Sequence, residues 1–319
     1  MAAVKNHLRS GPGLRYPALA LTLLFLLSAL GCAGAPSRTS RSLSSREAHK
    51  LIANRAWSTP SDLKNTTATD PLRLEGHGDK LARDRDWAAA LFQYNRALSL
   101  NNGKDNSRLR LKIARSYLRS GQWLQAETAF SILAKEQPDN PAVWQGLGMS
   151  FLARNEKMEA QKALTKTLKL RPEAWVALQG LGILHNWQGE PGKAIPFFVK
   201  AARVKPEIPS IHNNLGISHL MAGQFDKAID CFKRALELNP DYKLAANNLG
   251  LAYANQDRLD EAMNIFERSL GVAKAQNNLG VILAWRGDKR AAALKFKEAM
   301  RTSPRFYQLA NHHLSQVNR

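Results

Sequence analysis

A Leu-Gly pair recurs along the chain at a constant interval, and this interval limits what the chain can fold into. The glycines of four successive pairs, Gly148, Gly182, Gly216 and Gly250, lie 34 residues apart. So regular a spacing indicates one supersecondary unit repeated in tandem, because each copy must place equivalent residues at equivalent points. No long alternating run rich in Val, Ile and Thr is present, so the sequence favours an all-helical protein over a sheet protein.

Other residues recur at fixed distances from each Leu-Gly pair. A repeat contains a turn glycine, two small alanines and an aromatic in its second half, and a closing proline. In the repeat that opens at Pro209 these residues are Leu215, Gly216, Gly223, Ala228, Phe232, Ala235 and Pro240. The pattern resembles the tetratricopeptide (TPR) repeat, a helix-turn-helix unit of 34 residues. The resemblance implies an all-α superhelical solenoid, in which stacked repeats bury one continuous core.

We expect about seven TPR repeats over residues 71–306 and a capping helix over residues 307–319. The sixth repeat departs from the pattern, because Asp257 replaces the turn glycine and the step from Gly250 to Gly280 is only 30 residues. Its second helix should therefore be short and end at Gly271. The repeats are expected to open near residues 71, 107, 141, 175, 209, 243 and 273.

The N-terminal stretch is typical of an export signal. Lys5, Arg9 and Arg15 precede an apolar run over residues 18–30, and no charge occurs between Arg15 and Arg38. That arrangement matches the charged and apolar regions of a signal peptide. The run is short for a spanning helix, which needs about 20 apolar residues.

The end of the apolar run, Ala29-Leu30-Gly31-Cys32, resembles the lipobox of bacterial lipoproteins. The resemblance implies that residues 1–31 are removed and that Cys32 becomes an acylated N-terminus carrying a lipid such as palmitate. Ala33 rather than Asp follows the cysteine, which implies an outer-membrane address on the periplasmic side. An ordinary secretory signal that happens to contain a cysteine is the alternative interpretation.

Residues 32–70 form the expected tether between this anchor and the repeats. The stretch SRTSRSLSSR has almost no apolar content, as flexible linkers do. The only other cysteine is Cys231, and two such distant cysteines fit neither a metal cluster nor a disulfide scaffold.

The formal net charge of the chain is +20. A charge of this size attracts acidic proteins, anionic lipid or nucleic acid. The basic residues are spread along the whole array without a nucleic-acid-binding motif, so a solvated basic surface is favoured over specific nucleic-acid binding.

Polar pairs on the first helices of the last three repeats are the candidate peptide-binding residues. Side-chain amides offer both a donor and an acceptor, so a row of them can pair with the backbone of an extended peptide. Similar rows occur in other peptide-binding TPR proteins. We expect the second Asn of each pair to face the ligand; local packing or solubility is the alternative. The pairs are Asn213 and Asn214, Asn247 and Asn248, and Asn277 and Asn278.

An apolar stripe is expected beside these pairs, at repeat positions nine and thirteen. Such a stripe suits an interface core, although it could also pack neighbouring first helices together. Trp187 and Trp285 are its members most expected to be exposed. The other members are Met149, Ile183, Ile217, Met221, Leu251 and Val281.

The sequence contains no P-loop, GxSxG or HExxH motif, and the repeats and the anchor account for almost the whole chain. We therefore expect neither an enzyme nor a cofactor or metal site. The combination resembles the TPR lipoprotein of tight-adherence (Tad, Flp) pilus assembly, which implies a scaffold for pilus or secretion components. Alternatives are a pilotin for a type IV pilus secretin, an adaptor for cell-wall hydrolases, and, less favoured, a TPR region serving an enzyme such as a glycosyltransferase.

The lipobox resemblance makes a direct prediction. In cells fed a clickable fatty acid, the wild-type chain should be labelled and should sediment with membranes, because Cys32 supplies the acylated thiol. The Cys32→Ser variant should lose both properties. Equal labelling of the two chains would show that Cys32 is not the acylation site.

Overall fold

The computed structural model describes residues 70–101, 106–303 and 307–317. Over these ranges the chain forms fifteen α-helices and no strand. The expected signal peptide, Cys32 and the linker up to residue 69 lie outside the described residues. Among the described helices, none is long and apolar enough to cross a membrane.

The first fourteen helices form seven antiparallel pairs, and the last helix follows the seventh pair. In chain order the pairs are α1 (Pro71–Arg83) with α2 (Trp87–Leu100), α3 (Ser107–Arg119) with α4 (Trp123–Glu136), α5 (Pro141–Ala153) with α6 (Lys157–Leu170), α7 (Trp175–Trp187) with α8 (Pro191–Val204), α9 (Pro209–Met221) with α10 (Phe225–Leu238), α11 (Lys243–Asn255) with α12 (Leu259–Leu270), and α13 (Val272–Trp285) with α14 (Lys289–Thr302). Helix α15 is Tyr307–Val317.

Local sequence signals mark where several first helices begin. Asp70 precedes Pro71, and its side chain accepts a hydrogen bond from the backbone N–H of Leu72 at 3.0 Å. Asn140 makes the same contact with the residue after Pro141. A capping side chain satisfies one of the free N–H groups of the first turn, and proline at the first helical position has no N–H to lose.

The turn inside each pair requires left-handed backbone at one residue. Glycine occupies this place in four repeats, but Arg85, Asn155 and Asp257 adopt φ values of 64°, 61° and 65° in the others. A left-handed non-glycine residue costs about 1–2 kcal/mol, so packing of the two helices imposes the turn even where glycine is missing. Asp257 gains an ion pair there, since Arg286 donates to it at 2.7 Å.

In the last four pairs, the glycine of the Leu-Gly motif lies directly under a phenylalanine ring of the second helix, and in the third pair Gly148 lies against Leu164 instead. A Cβ atom placed on Gly216 would come within 2.6 Å of the Phe232 ring, and one on Gly250 within 2.4 Å of the Phe266 ring. Both rings are fully buried. The glycine therefore sets how closely the two helices approach. Three residues of the recurring pattern in this repeat, Leu215, Ala228 and Phe232, are buried in the core.

In the second repeat, the aromatic residue at the equivalent position of the second helix packs against the next repeat. Ala114 takes the place of the motif glycine, and the Phe130 ring lies against Gly146 of the next first helix, where a Cβ would approach it to 2.1 Å. Here the aromatic side chain joins one repeat to the next. Small residues on first helices therefore control packing between repeats as well as within them.

The array closes at its C-terminal end as expected. Helix α12 has 12 residues, whereas the other second helices have 14, and Gly271, at φ 82°, separates it from α13. Ala310 of α15 is fully buried, and Leu314 and Val317 pack in the same cluster as Leu283 and Phe296. Helix α15 thus covers the last apolar face, as a capping helix does.

The contact between Gly216 and Phe232 generates a stability prediction. Gly216→Ala should lower the free energy of unfolding by about 1–3 kcal/mol, because the added methyl group must displace a fully buried ring. Thermal and urea unfolding followed by circular dichroism would measure the change.

The matched control is Gly192→Ala in α8, where a Cβ meets no atom within 4 Å. There the substitution should be neutral or stabilising by up to about 1 kcal/mol, since alanine is the better helix former. Equal effects of the two substitutions would contradict the packing described for Gly216.

Candidate protein-binding surface

The first helices of the repeats form the inner side of the array. From α3 to α13, each first helix contacts the first helix of the next repeat as well as its own partner. The second helices of successive repeats pack less closely with one another. The stack therefore curves toward the first helices, and their outward-pointing residues line what we call the inner face.

Asparagine side chains connect the first helices of the last three repeats on this face. Asn248 Nδ2 donates to Asn213 Oδ1, and Asn278 Nδ2 donates to Asn247 Oδ1, each at 2.9 Å. The six residues Asn213, Asn214, Asn247, Asn248, Asn277 and Asn278 are called the asparagine ladder below. From the sequence, these residues were predicted to bind a ligand. In the structure, some of their amide groups form hydrogen bonds between neighbouring first helices.

One member of each pair in the asparagine ladder is buried and the other is half-buried. Asn213, Asn248 and Asn277 are buried, whereas Asn214, Asn247 and Asn278 are half-buried. The sequence interpretation placed the second Asn of every pair toward a ligand. In the middle pair the more exposed residue is the first, Asn247, because Asn248 is used by the bond to Asn213.

The asparagine ladder continues into the capping helix. His313 Nδ1 lies 2.9 Å from Asn277 Oδ1, and the His313 ring contacts Phe296. Burial, together with the neighbouring His312, lowers the pKa of His313. A neutral ring with its proton on Nδ1 can donate to the amide oxygen, so α15 is tied to the inner face by a polar contact in addition to its apolar one.

Equivalent polar contacts in the middle repeats were missed by the sequence analysis. Asn186 Nδ2 donates to Ser218 Oγ at 2.9 Å, and that hydroxyl donates back to Asn186 Oδ1 at 3.1 Å. Gln179 donates to Ser210 at 3.2 Å. The signal that could have found these contacts is a polar residue on each of two successive first helices at nearly the repeat spacing.

The apolar stripe is only partly exposed. Trp285 is 45% exposed, while Trp187 is half-buried against the cluster that contains Leu152 and Leu184. Ile217 is buried. The stripe therefore contributes both to packing between first helices and to the inner surface, and of the two tryptophans Trp285 offers the larger accessible ring.

The N-terminal part of the inner face has a different, charged character. Glu75 of α1 is buried and pairs with Arg108 at 2.8 Å and Lys112 at 2.7 Å, both from α3. Asp79 pairs with the same Lys112 at 2.6 Å and accepts a hydrogen bond from the Tyr94 hydroxyl at 2.8 Å. This cluster was not predicted from the sequence, since ion pairs between repeats leave no periodic signal.

The ionisation of this cluster follows from its contacts. Burial works to raise the pKa of Asp79, but the hydrogen bonds from Lys112 and Tyr94 outweigh it, and the pKa is lowered. Burial and the neighbouring Asp79 raise the pKa of Tyr94. Asp79 is therefore charged at neutral pH and Tyr94 is neutral, which keeps the phenol as a donor.

The remaining reactive groups fit structural roles. Burial raises the pKa of the Cys231 thiol to about 11, which leaves little thiolate at neutral pH. His219 Nδ1 lies 2.8 Å from Gln224 Oε1 beside the turn, and burial lowers its pKa. Among the described residues, no group of three His, Cys, Asp or Glu side chains is placed to hold a metal ion.

Comparison with known families agrees with the repeat geometry. The model of the TPR C-terminal domain of cilia and flagella-associated protein 70 matches residues 62–280, more than half of the chain. The chain belongs to this TPR family. A search of curated proteins gave no match.

The repeat fold also has similar solved structures. A TPR protein from Parabacteroides merdae superposes with a TM-score of 0.55 at 17% identity, over 78% of this chain and 99% of that one. MamA (residue 41 to the end) from Desulfovibrio magneticus has a TM-score of 0.48 at 21% identity, over 55% of this chain and 98% of its own. The predicted fold class, an all-α TPR solenoid, is confirmed.

Proposed function

We propose that the chain is a membrane-anchored scaffold whose inner face holds an extended segment of a partner protein in the bacterial envelope. Proteins with TPR repeats generally bind other proteins or peptides, and the inner face carries the groups that such binding needs. The observation that carries the proposal is the exposed Trp285 beside half-buried amides on the first helices of the last three repeats.

The amides retain hydrogen-bonding capacity for a ligand. Asn214 Oδ1 accepts a hydrogen bond from Asn213 Nδ2 at 3.3 Å. Asn247 Oδ1 accepts one from Asn278 Nδ2 at 2.9 Å. Within the described residues, this leaves the amide nitrogens of Asn214 and Asn247 and the amide oxygen of Asn278 without a protein partner. A peptide backbone alternates donors and acceptors, so an extended chain can use both kinds of group.

Trp285 supplies apolar contact area, which the hydrogen bonds of the amides do not. Each neutral hydrogen bond contributes only about 0.5–1.5 kcal/mol net, because it replaces bonds to water. A large aromatic side chain removes more apolar area from water and is over-represented among the residues that dominate binding energy. Trp285 is therefore the proposed anchor, and the half-buried amides fix the direction and register of the bound segment.

The proposed location rests on the N-terminal sequence. The charged and apolar regions before residue 31, together with the lipobox-like Ala29 to Cys32, support export and a lipid anchor on the periplasmic side of the outer membrane. A scaffold of this kind suits Tad/Flp pilus assembly or secretion, in which envelope components must be brought together. A pilotin for a type IV pilus secretin or an adaptor for cell-wall hydrolases would use the same architecture.

The test compares an inner-face variant with the wild-type chain. A double variant, Trp285→Ala with Asn214→Ala, should retain the proteins that the wild-type chain captures from envelope extract at least tenfold less strongly, as expected when an aromatic anchor is removed. Quantitative mass spectrometry of the captured proteins measures the loss. Circular dichroism should show an unchanged fold, since Trp285 is 45% exposed and Asn214 is half-buried.

A matched outer-face variant controls for surface changes in general. Met158 and Gln161 are exposed on α6, and replacing both with Ala removes a large apolar and an amide side chain away from the inner face. This variant should capture the wild-type set of proteins. Loss of capture by the outer variant, with retention by the inner one, would overturn the proposal. Pilin, secretin or ATPase components among the lost proteins would favour pilus assembly, and hydrolases would favour the adaptor.

A further inference from the structure

The inner face of the second repeat carries two arginines in places where most later repeats carry apolar residues. Arg115 and Arg119 lie one helical turn apart on α3, at repeat positions nine and thirteen. The same positions hold Ile183 and Trp187 on α7. The stripe that is apolar in the C-terminal repeats therefore becomes basic toward the N-terminal end of the same face.

The carboxylates of α1 that contact α3 are paired with other cations. Glu75 is engaged by Arg108 and Lys112, and Asp79 by Lys112. In the described part of the chain, neither Arg115 nor Arg119 has a carboxylate within ion-pair distance. Both side chains are exposed, and partial desolvation of Arg115 together with the charge of Arg119 lowers the pKa of Arg115.

Two like charges one turn apart on a helix are destabilising, and no opposing charge in the described residues offsets them. An anionic partner would remove this cost and would gain charge-assisted hydrogen bonds, which arginine forms well with carboxylates because of its planar fork. The arrangement is therefore unfavourable in the free chain and favourable in a complex.

We propose that Arg115 and Arg119 bind acidic side chains of the partner segment that occupies the inner face. This inference rests on the proposed function and adds the chemistry of the partner. The bound segment carries Asp or Glu residues at the end that lies on the second repeat, and apolar residues at the end that reaches Trp285. A lipid bilayer is a less suitable anion, because a flat surface does not enter the concave side of a solenoid.

The test uses two fluorescein-labelled synthetic peptides and the full-length chain. Both peptides have the same Leu- and Ser-containing segment; one ends in a block of Glu and its twin ends in a block of Gln. Fluorescence anisotropy should show that the Glu peptide binds more tightly, and that raising the salt concentration removes most of the difference, since salt screens partly exposed charges.

The double variant Arg115→Gln with Arg119→Gln should bind the Glu peptide about tenfold more weakly and the Gln peptide as before. Its matched control is Lys162→Gln with Lys169→Gln, which removes the same charge from exposed residues of α6. The control should bind both peptides like the wild type. The arginine variant should melt no lower than the wild type, because it loses a repulsion.

Each other outcome overturns the inference. If the Gln peptide binds as tightly as the Glu peptide and Trp285→Ala weakens both, the inner face still binds peptides and only the charge inference fails. If the α6 variant loses as much affinity as the arginine variant, the loss of affinity reflects the net charge of the chain and not a site at Arg115 and Arg119. If neither peptide binds, and the chain is retained on phosphatidylglycerol vesicles through Arg115 and Arg119, these residues recognise lipid phosphate instead.

Discussion

The close approach of two helices at a glycine is the constraint on which the rest of this structure depends. A ring from the second helix rests where a side chain would otherwise start, as Phe232 does on Gly216 and Phe266 on Gly250. Because this contact sets the spacing within each of the last four pairs, these pairs stack with nearly the same geometry. The first helices are then brought side by side, and the residues they direct away from the core become one continuous surface.

Asparagine and tryptophan residues of that surface have two roles: some join neighbouring first helices, and others remain accessible to a partner. Asn213 and Asn248 are hydrogen-bonded to each other between two repeats, while the amide nitrogen of Asn214 has no partner among the described residues. Trp187 packs into the core, whereas Trp285 is open to solvent. A polar contact between buried side chains favours one register of stacking over others, because a shift would leave the amides unpaired. Binding groups on neighbouring helices are therefore held at fixed distances.

The sequence predicted the all-helical repeat fold and the shortened second helix of the sixth repeat, because both depend on small or aromatic residues at fixed spacing. It did not predict which amide of each pair is buried, since that depends on how two first helices face each other, as at Asn247 and Asn248. The charged cluster around Glu75 was also missed, because ion pairs between repeats leave no periodic signal. The turn at Asp257 was recognised as a departure, but its left-handed backbone is imposed by the surrounding pair.

The inner face, and not the outer face formed by the second helices, is proposed to contact the partner. Site-specific photo-crosslinking tests it most directly, with the crosslinking amino acid benzoylphenylalanine placed at Trp285 on the inner face or at Met158, which is 68% exposed on α6. Both sites accept a large aromatic group at the surface, so both variants should fold. Illumination in living cells should give a discrete crosslinked protein from position 285 and none from position 158. A discrete product from position 158 alone would contradict it.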